Sequence, residues 1–331
     1  MKMPDRMRRL YERLEAFGID RNYVREVAFP PGWNDAATEN PAVYCQAIGL
    51  LARNLNLNLR ALQTDEAPLE WQDCGPARFK HGKRLSEQDL TLARCLAARA
   101  AQVACQAATT PVTEVPAAGR AIRETLLATG RPYVDFEALL DYCWASGIPV
   151  LPVSRLPAHA RKPNALAGTF SDRPAIVLMK QPRYAAMLLF ILAHELGHIA
   201  LGHLSGNGLL VDAHIDRDDR EAQEEQANAF AVELLTGKPD IRYRAAYSPT
   251  AEELANAARE TSRRDGVDPG FVALIYAGTR GHSAVGNRAL SLIEPEADPI
   301  GTIRARICSR LDWEQLGRDS GQFLQSITRT D

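Results

Sequence analysis

The stretch LLFILAHELGHIALGH, residues 188–203, places two histidines four positions apart around a glutamate, inside an apolar run. Apolar residues on both sides of the motif predict a long helix, from about Pro182 to Gly202, that crosses a core. On an α-helix, residues i and i+4 lie about 40° apart around the axis and one turn apart along it. His194 and His198 therefore project to the same side, where two imidazole nitrogens can meet a tetrahedral ion at about 2.0–2.1 Å. Glu195 is turned about 100° around the helix, so its carboxylate can reach a water at the ion without filling a ligand position.

A catalytic zinc takes three protein ligands and leaves one position open. His203 is a poor third ligand, because five residues beyond His198 a continuing helix would point it away from the His194/His198 face. It is expected to cap the helix C-terminus or to support a ligand from behind. The better source is the next helical stretch, REAQEEQANAFAVELLTG, residues 220–237. Its apolar face, Ala227, Phe230, Ala231 and Leu234, predicts packing on the core against the histidine-bearing helix. Glu224 and Asn228 form an i, i+4 pair in which one can bind the metal while the other hydrogen-bonds a ligand histidine. Glu224 is the expected third ligand, with Glu225 and Glu221 as neighbours that could take its place. The remaining acidic residues read as a solvated helix N-terminus.

Upstream, IPVLPVSRL is extended, and ALAGTF and PAIVLMK flank SDRP, a turn between antiparallel strands. AIRETLLATG and DFEALLDYCWASG read as short helices stopped at Gly130 and Gly147. Residues 1–106 read as a helical N-terminal domain. PDRMRRLYERLEAFG and NPAVYCQAIGLLARNLNLNLRAL space apolar residues three and four apart, FPPGWNDAATENP is a loop, and Ser86 is placed to cap SEQDLTLARCLAARAAQVACQAA. TTPVTEVPAAG marks a linker at 107–118, a core domain follows at 119–240, and 241–331 reads as a helical C-terminal region. The expected fold class is α+β, mostly helical, with a small antiparallel sheet.

The chain of 331 residues has a formal net charge of −2, with 24% charged and 46% hydrophobic residues. That balance fits a soluble globular protein and excludes a surface built throughout to meet nucleic acid. The six cysteines are scattered with no CxxC pair, which predicts reduced thiols. The charged start lacks a signal-peptide core, and the apolar run Ala185–Ala193 is too short to span a bilayer. The expectation is a cytoplasmic protein with no membrane partner. The basic residues Arg78, Lys80, Lys83 and Arg84 read as a solvated loop, with direct DNA binding as the alternative.

AHELGHIALGH followed some twenty residues later by EEQANAFAVELL resembles the ImmA/IrrE family of metallopeptidases, whose pattern is an AHELGH helix and then a helix of the form ExEANxFAxxLL. The preceding ALAGTF…PAIVLMK and IRETLL…GIPVLPV match the family layout, and the resemblance spans about 117–240. It implies a zincin-like peptidase core in which Zn2+ is held by His194, His198 and Glu224, with Glu195 as general base. It also implies a regulatory metallo-endopeptidase, in stress response or mobile-element control, acting on a partner protein such as an XRE-type transcriptional repressor. Gln226 stands where the family often has an acidic residue, and TGKPD where Met-Pro is common. Many members carry a helix-turn-helix ahead of the peptidase, and YCQAIGLLARNLNLNLRAL distantly resembles one. The competing reading is a zinc-containing regulatory or antitoxin-like binding protein without proteolytic turnover. For peptide hydrolysis, Tyr243, Tyr247, Tyr276 and His282 are downstream candidates for an oxyanion donor, and the strand AIVLMK could offer its edge to an extended peptide.

Overall fold

A computed structural model of the chain describes residues 3–72, 87–158, 160, 162–204, 208–209, 217–244, 247–280 and 283–329. The N-terminal helices are α1 (Asp5–Ala16), α2 (Arg21–Tyr23), α3 (Pro41–Asn54), α4 (Leu59–Gln63) and α5 (Glu87–Ala107). Then come α6 (Gly119–Leu127), α7 (Phe136–Ala145) and the strands β1 (Val150–Pro152), β2 (Ala165–Phe170) and β3 (Arg173–Leu178). The rest is α8 (Ala185–Ala200), β4 (Gly208–Leu209), α9 (Arg217–Thr236), α10 (Ala251–Asp265), α11 (Pro269–Arg280), α12 (Ser283–Ile293), α13 (Pro299–Arg310) and α14 (Arg318–Thr328). The result is the mostly helical α+β architecture that the sequence pattern implies.

β2 and β3 are joined by Ser171 and Asp172, both at positive φ (50° and 63°). Two such residues make the tight turn whose twist matches that of the strands it connects. The antiparallel register runs from Ala165↔Leu178 to Phe170↔Arg173. β1 pairs parallel to the other side of β3, Val150↔Ile176 through Pro152↔Leu178. β4 pairs with Gly168 and Thr169 of β2, so the order is β1-β3-β2-β4.

Two expectations change here. The sheet is mixed, because β1 runs parallel to its neighbour. AIVLMK also belongs to a central strand with both edges taken, so it has no edge to offer a peptide. The physical reason is visible in its run of fully buried residues, Ala175 to Leu178, which suits a strand covered on both faces. α5 and α8 supply that cover, both packing on β2 and β3. Among the described residues, β4 pairs with Gly168 and Thr169 alone and leaves Ala165 to Ala167 of β2 without a partner on that side.

α8 is anchored by Leu188, Leu189, Leu192 and Leu196, all fully buried. Each contributes about 1.5–3 kcal/mol by leaving water. The helix stops before Gly202, which takes a left-handed φ of 69°. At its other end no local side chain caps it. Instead the N–H groups of Ala185 and Ala186 donate to the carboxylate of Glu294, at 2.6 and 3.2 Å. Glu294 directly follows α12, a helix that periodicity does not single out within the helical region 241–331. α10, α11 and α12 pack on one another, and α11 rests on α8. The C-terminal region thus fixes the start of the helix that carries the histidines.

Asp268 caps α11 by accepting from the N–H of Phe271 at 2.8 Å. Burial pushes its carboxyl up to about 7, and the nearby Glu294 and Asp135 carboxylates push the same way. A carboxyl raised in the folded state contributes stability that is fully present below its unfolded pKa, near 4, and is lost as pH rises through about 7. Asp268→Asn keeps a good helix cap but removes the charge. Its melting temperature is expected to exceed that of the wild type at pH 8 and to lose the advantage by pH 4, a difference on the order of 2–4 kcal/mol. Parallel melting curves for the two proteins across this range would show that Asp268 does not titrate in the folded chain.

Cys45, Cys105, Cys143 and Cys308 are free. Cys95 is disulfide-bonded, which corrects the expectation of reduced thiols for that residue. Scattered spacing conceals such a pairing. Cys74, Ser86 and the basic residues Arg78, Lys80, Lys83 and Arg84 lie outside the described residues. No helix among the described residues is long and apolar enough to cross a membrane.

Candidate metal centre

The centre forms where α9 crosses α8. Gly197 makes the crossing close: a Cβ there would stand 3.0 Å from the Phe230 ring and 3.2 Å from the Ala227 carbonyl oxygen. Ala227, Phe230, Ala231 and Leu234 are all buried, as the apolar stripe predicts. With the helices held this close, Glu224, one turn before Ala227 and Asn228, reaches the two histidines.

His194 Nε2 and His198 Nε2 stand 3.1 Å apart. Glu224 brings Oε2 to 3.2 Å from the first and Oε1 to 3.4 Å from the second. Two ligand atoms at about 2.05 Å from a tetrahedral ion are about 3.3 Å apart, close to the nitrogen–nitrogen spacing and to the approach of each Glu224 oxygen to its nearer ring, and one atom from each of the three side chains lies within 4.8 Å of the others. His194, His198 and Glu224 are also the group of metal-ligating side chains found among the described residues. Glu225 and Glu221 do not join it.

The rings are held from behind. His194 Nδ1 lies 3.0 Å from Asn228 Oδ1. A ring that keeps its Nε2 lone pair free carries its proton on Nδ1, so here the histidine donates and Asn228 accepts. His198 Nδ1 lies 3.0 Å from His203 Nδ1, and His203 Nε2 lies 3.1 Å from Gln226 Oε1. His203 is therefore a support to His198, one of the two roles expected for it. Its link to Gln226 was not legible in the sequence, where the two are separated by a segment with little periodicity.

Burial sets the charge states. His198 is depressed to about 4, first by burial and then by the neighbouring His194 and His203, which keeps it neutral and able to coordinate near pH 7. Glu195 is pushed up to about 8, chiefly by burial and further by Glu224, while a hydrogen bond from the Ala167 backbone N–H acts in the opposite direction. A cation held by the three donors would favour the ionised form of this carboxylate. Glu195, the three donors, Asn228, Phe190 and Ile191 line one cavity of about 410 Å³, closed on another side by Asn164 to Ala167 of the β2 edge. Phe271 of α11 stacks on Phe190, with ring centroids 5.8 Å apart.

Residues 162–272, about a third of the chain, match the family model described as peptidase M78, the IrrE N-terminal-like domain. This segment is similar to the IrrE N-terminal-like domain of the peptidase M78 family. The match to the IrrE-like domain starts just before β2 and runs through the metal donors into α11, further toward the C-terminus than the motif resemblance suggests. No curated protein and no solved structure matches the chain. Of the oxyanion-donor candidates, Tyr243, Tyr247 and Tyr276 do not line the cavity of the IrrE-like domain, and His282 lies outside the described residues. Tyr243 instead donates to Asp265 and Tyr247 to Glu253.

Proposed function

We propose that the protein is a zinc-dependent metallo-endopeptidase that cleaves an extended segment of a partner protein. The observation that carries the reading is the convergence of His194 Nε2, His198 Nε2 and a Glu224 carboxylate oxygen within 4.8 Å of one another. Two nitrogens and one carboxylate oxygen, with a side left open to a cavity, form a donor set suited to catalytic zinc. When bound, zinc supplies a Lewis acid that polarises the scissile carbonyl and acidifies water.

The chain's own residues do the rest. Glu195 takes the proton of the attacking water and returns it to the leaving amine. Its burial and the N–H of Ala167 hold its carboxylate in one place. The substrate strand lies along Ala165 to Ala167 of β2, which border the cavity and have no strand partner on that side among the described residues, and this stretch takes the role first assigned to AIVLMK. Alternation along a strand puts the N–H and C=O of Ala165 on the same edge as those of Ala167. Edge pairing of this kind requires an unfolded stretch of substrate. The ImmA/IrrE resemblance supports a transcriptional repressor of XRE type as that substrate, and a regulatory role.

The test is a comparison of new protein N-termini across the proteome, by mass spectrometry, in matched cells expressing wild type or Glu195→Gln. One or a few termini are expected with wild type alone, and the cleaved protein identifies the partner. Identical profiles from two metal-loaded proteins, in cells that contain the natural partners, would favour the binding protein without turnover.

A further inference from the structure

We propose that His203 and Gln226 form a hydrogen-bonded relay that holds His198 with its Nε2 lone pair directed at the metal. The inference rests on the metallopeptidase reading of the site and assigns a positioning role to two residues outside the donor set.

A neutral imidazole carries one N–H and one lone pair, so the bond made by one nitrogen fixes what the other can do. His198 can coordinate through Nε2 only with its proton on Nδ1. That proton faces His203 Nδ1 at 3.0 Å, which must then accept. His203 accordingly carries its own proton on Nε2, which faces Gln226 Oε1 at 3.1 Å. The amide oxygen accepts, and every contact in the chain is satisfied.

The opposite arrangement meets a mismatch at its outer end. With the proton on His203 Nδ1, His198 would turn an N–H toward His194 and Glu224, and the bare Nε2 of His203 would face the Gln226 oxygen. Two acceptors would then oppose each other 3.1 Å apart, and the Gln226 amide would have to turn over to present its NH2 group. His198 and His203 are both buried, so water is poorly placed to relieve the conflict. In the orientation found here the exposed Gln226 favours the coordinating state of a buried ring two contacts away. His194 has a different support, Asn228, so the two ligand histidines are oriented independently.

The relay is tested in the full chain by chelator competition for Zn2+ and by proton NMR of the Co2+-loaded protein. His203→Phe leaves the Nδ1 proton of His198 without an acceptor and is expected to weaken Zn2+ binding by about 10–100-fold. His203→Gln restores a carbonyl acceptor and should recover most of that loss. Gln226→Leu, at an exposed position where folding is not at stake, should give a smaller loss of the same kind. In the Co2+ protein the shifted N–H resonance of His198 is expected to move and exchange faster with water in His203→Phe and Gln226→Leu, while that of His194 stays. Wild-type affinity and unchanged resonances in both variants would overturn the relay and leave the metal centre standing. Failure of the wild type itself to bind Zn2+ would overturn the metallopeptidase reading, and the relay with it.

Discussion

Glu195→Gln is expected to lower the rate of peptide hydrolysis by about 10²–10⁴-fold, the usual contribution of a positioned general base. The metal content should be unchanged, because Glu195 is outside the group formed by His194, His198 and Glu224. The fold should also hold. Glu195 is only 8% exposed, and burial already favours its neutral form, pushing the carboxyl up to about 8. An amide of the same shape carries no charge into that site, and its oxygen can still accept from the N–H of Ala167. Measured turnover, metal content and thermal stability together isolate the chemistry from the scaffold. A variant that is metal-loaded and retains more than about a tenth of wild-type turnover would remove Glu195 from the base role.

The second large effect is expected on α9. Glu224→Ala deletes one of three donors, and the loss in Zn2+ affinity should exceed the roughly 10–100-fold that a supporting residue costs. Glu225→Ala and Glu221→Ala, on the same helix and equal in charge change, should bind the metal as the wild type does. The contrast separates coordination from general electrostatic attraction, because all three substitutions remove one negative charge. The Glu224 side chain is half exposed, so its removal opens no cavity in the core and is not expected to unfold the protein. Equal affinities in the three variants would falsify the donor assignment of Glu224.

How much of this could be read from the sequence depended on distance along the chain. The histidine pair, the neighbouring glutamate and the apolar stripe of α9 are local patterns, set by the helical repeat, and they place His194, Glu195, His198 and Glu224 at one cavity. The β2–β3 hairpin was legible because Ser171 and Asp172 form a tight turn within six residues of either strand end. The parallel pairing of β1 was not, since strand order is decided by which helices cover the sheet. Glu294, which caps α8 from beyond α12, could not be found by periodicity either. α12 itself is obscured by Gly286, a weak helix former; a Cβ there would come within 2.5 Å of Ala277 Cβ on α11. The supports of the histidines divide in the same way. Asn228 was visible as the i+4 partner of Glu224, whereas Gln226 needs the third dimension to meet His203.

Glu224, Gln226 and Asn228 all ride on α9, within five residues of one another. One supplies a donor atom, and the other two orient the rings of α8. The docking of a single helix therefore brings the proposed third donor and the outer partners of both ring supports in one movement. A tilt of α9 by the width of a hydrogen bond would remove the third donor and release both rings at once. Such a site has no half-built intermediate: it is assembled or it is absent. Any agent that pries α9 from α8 would act as an off-switch without entering the cavity.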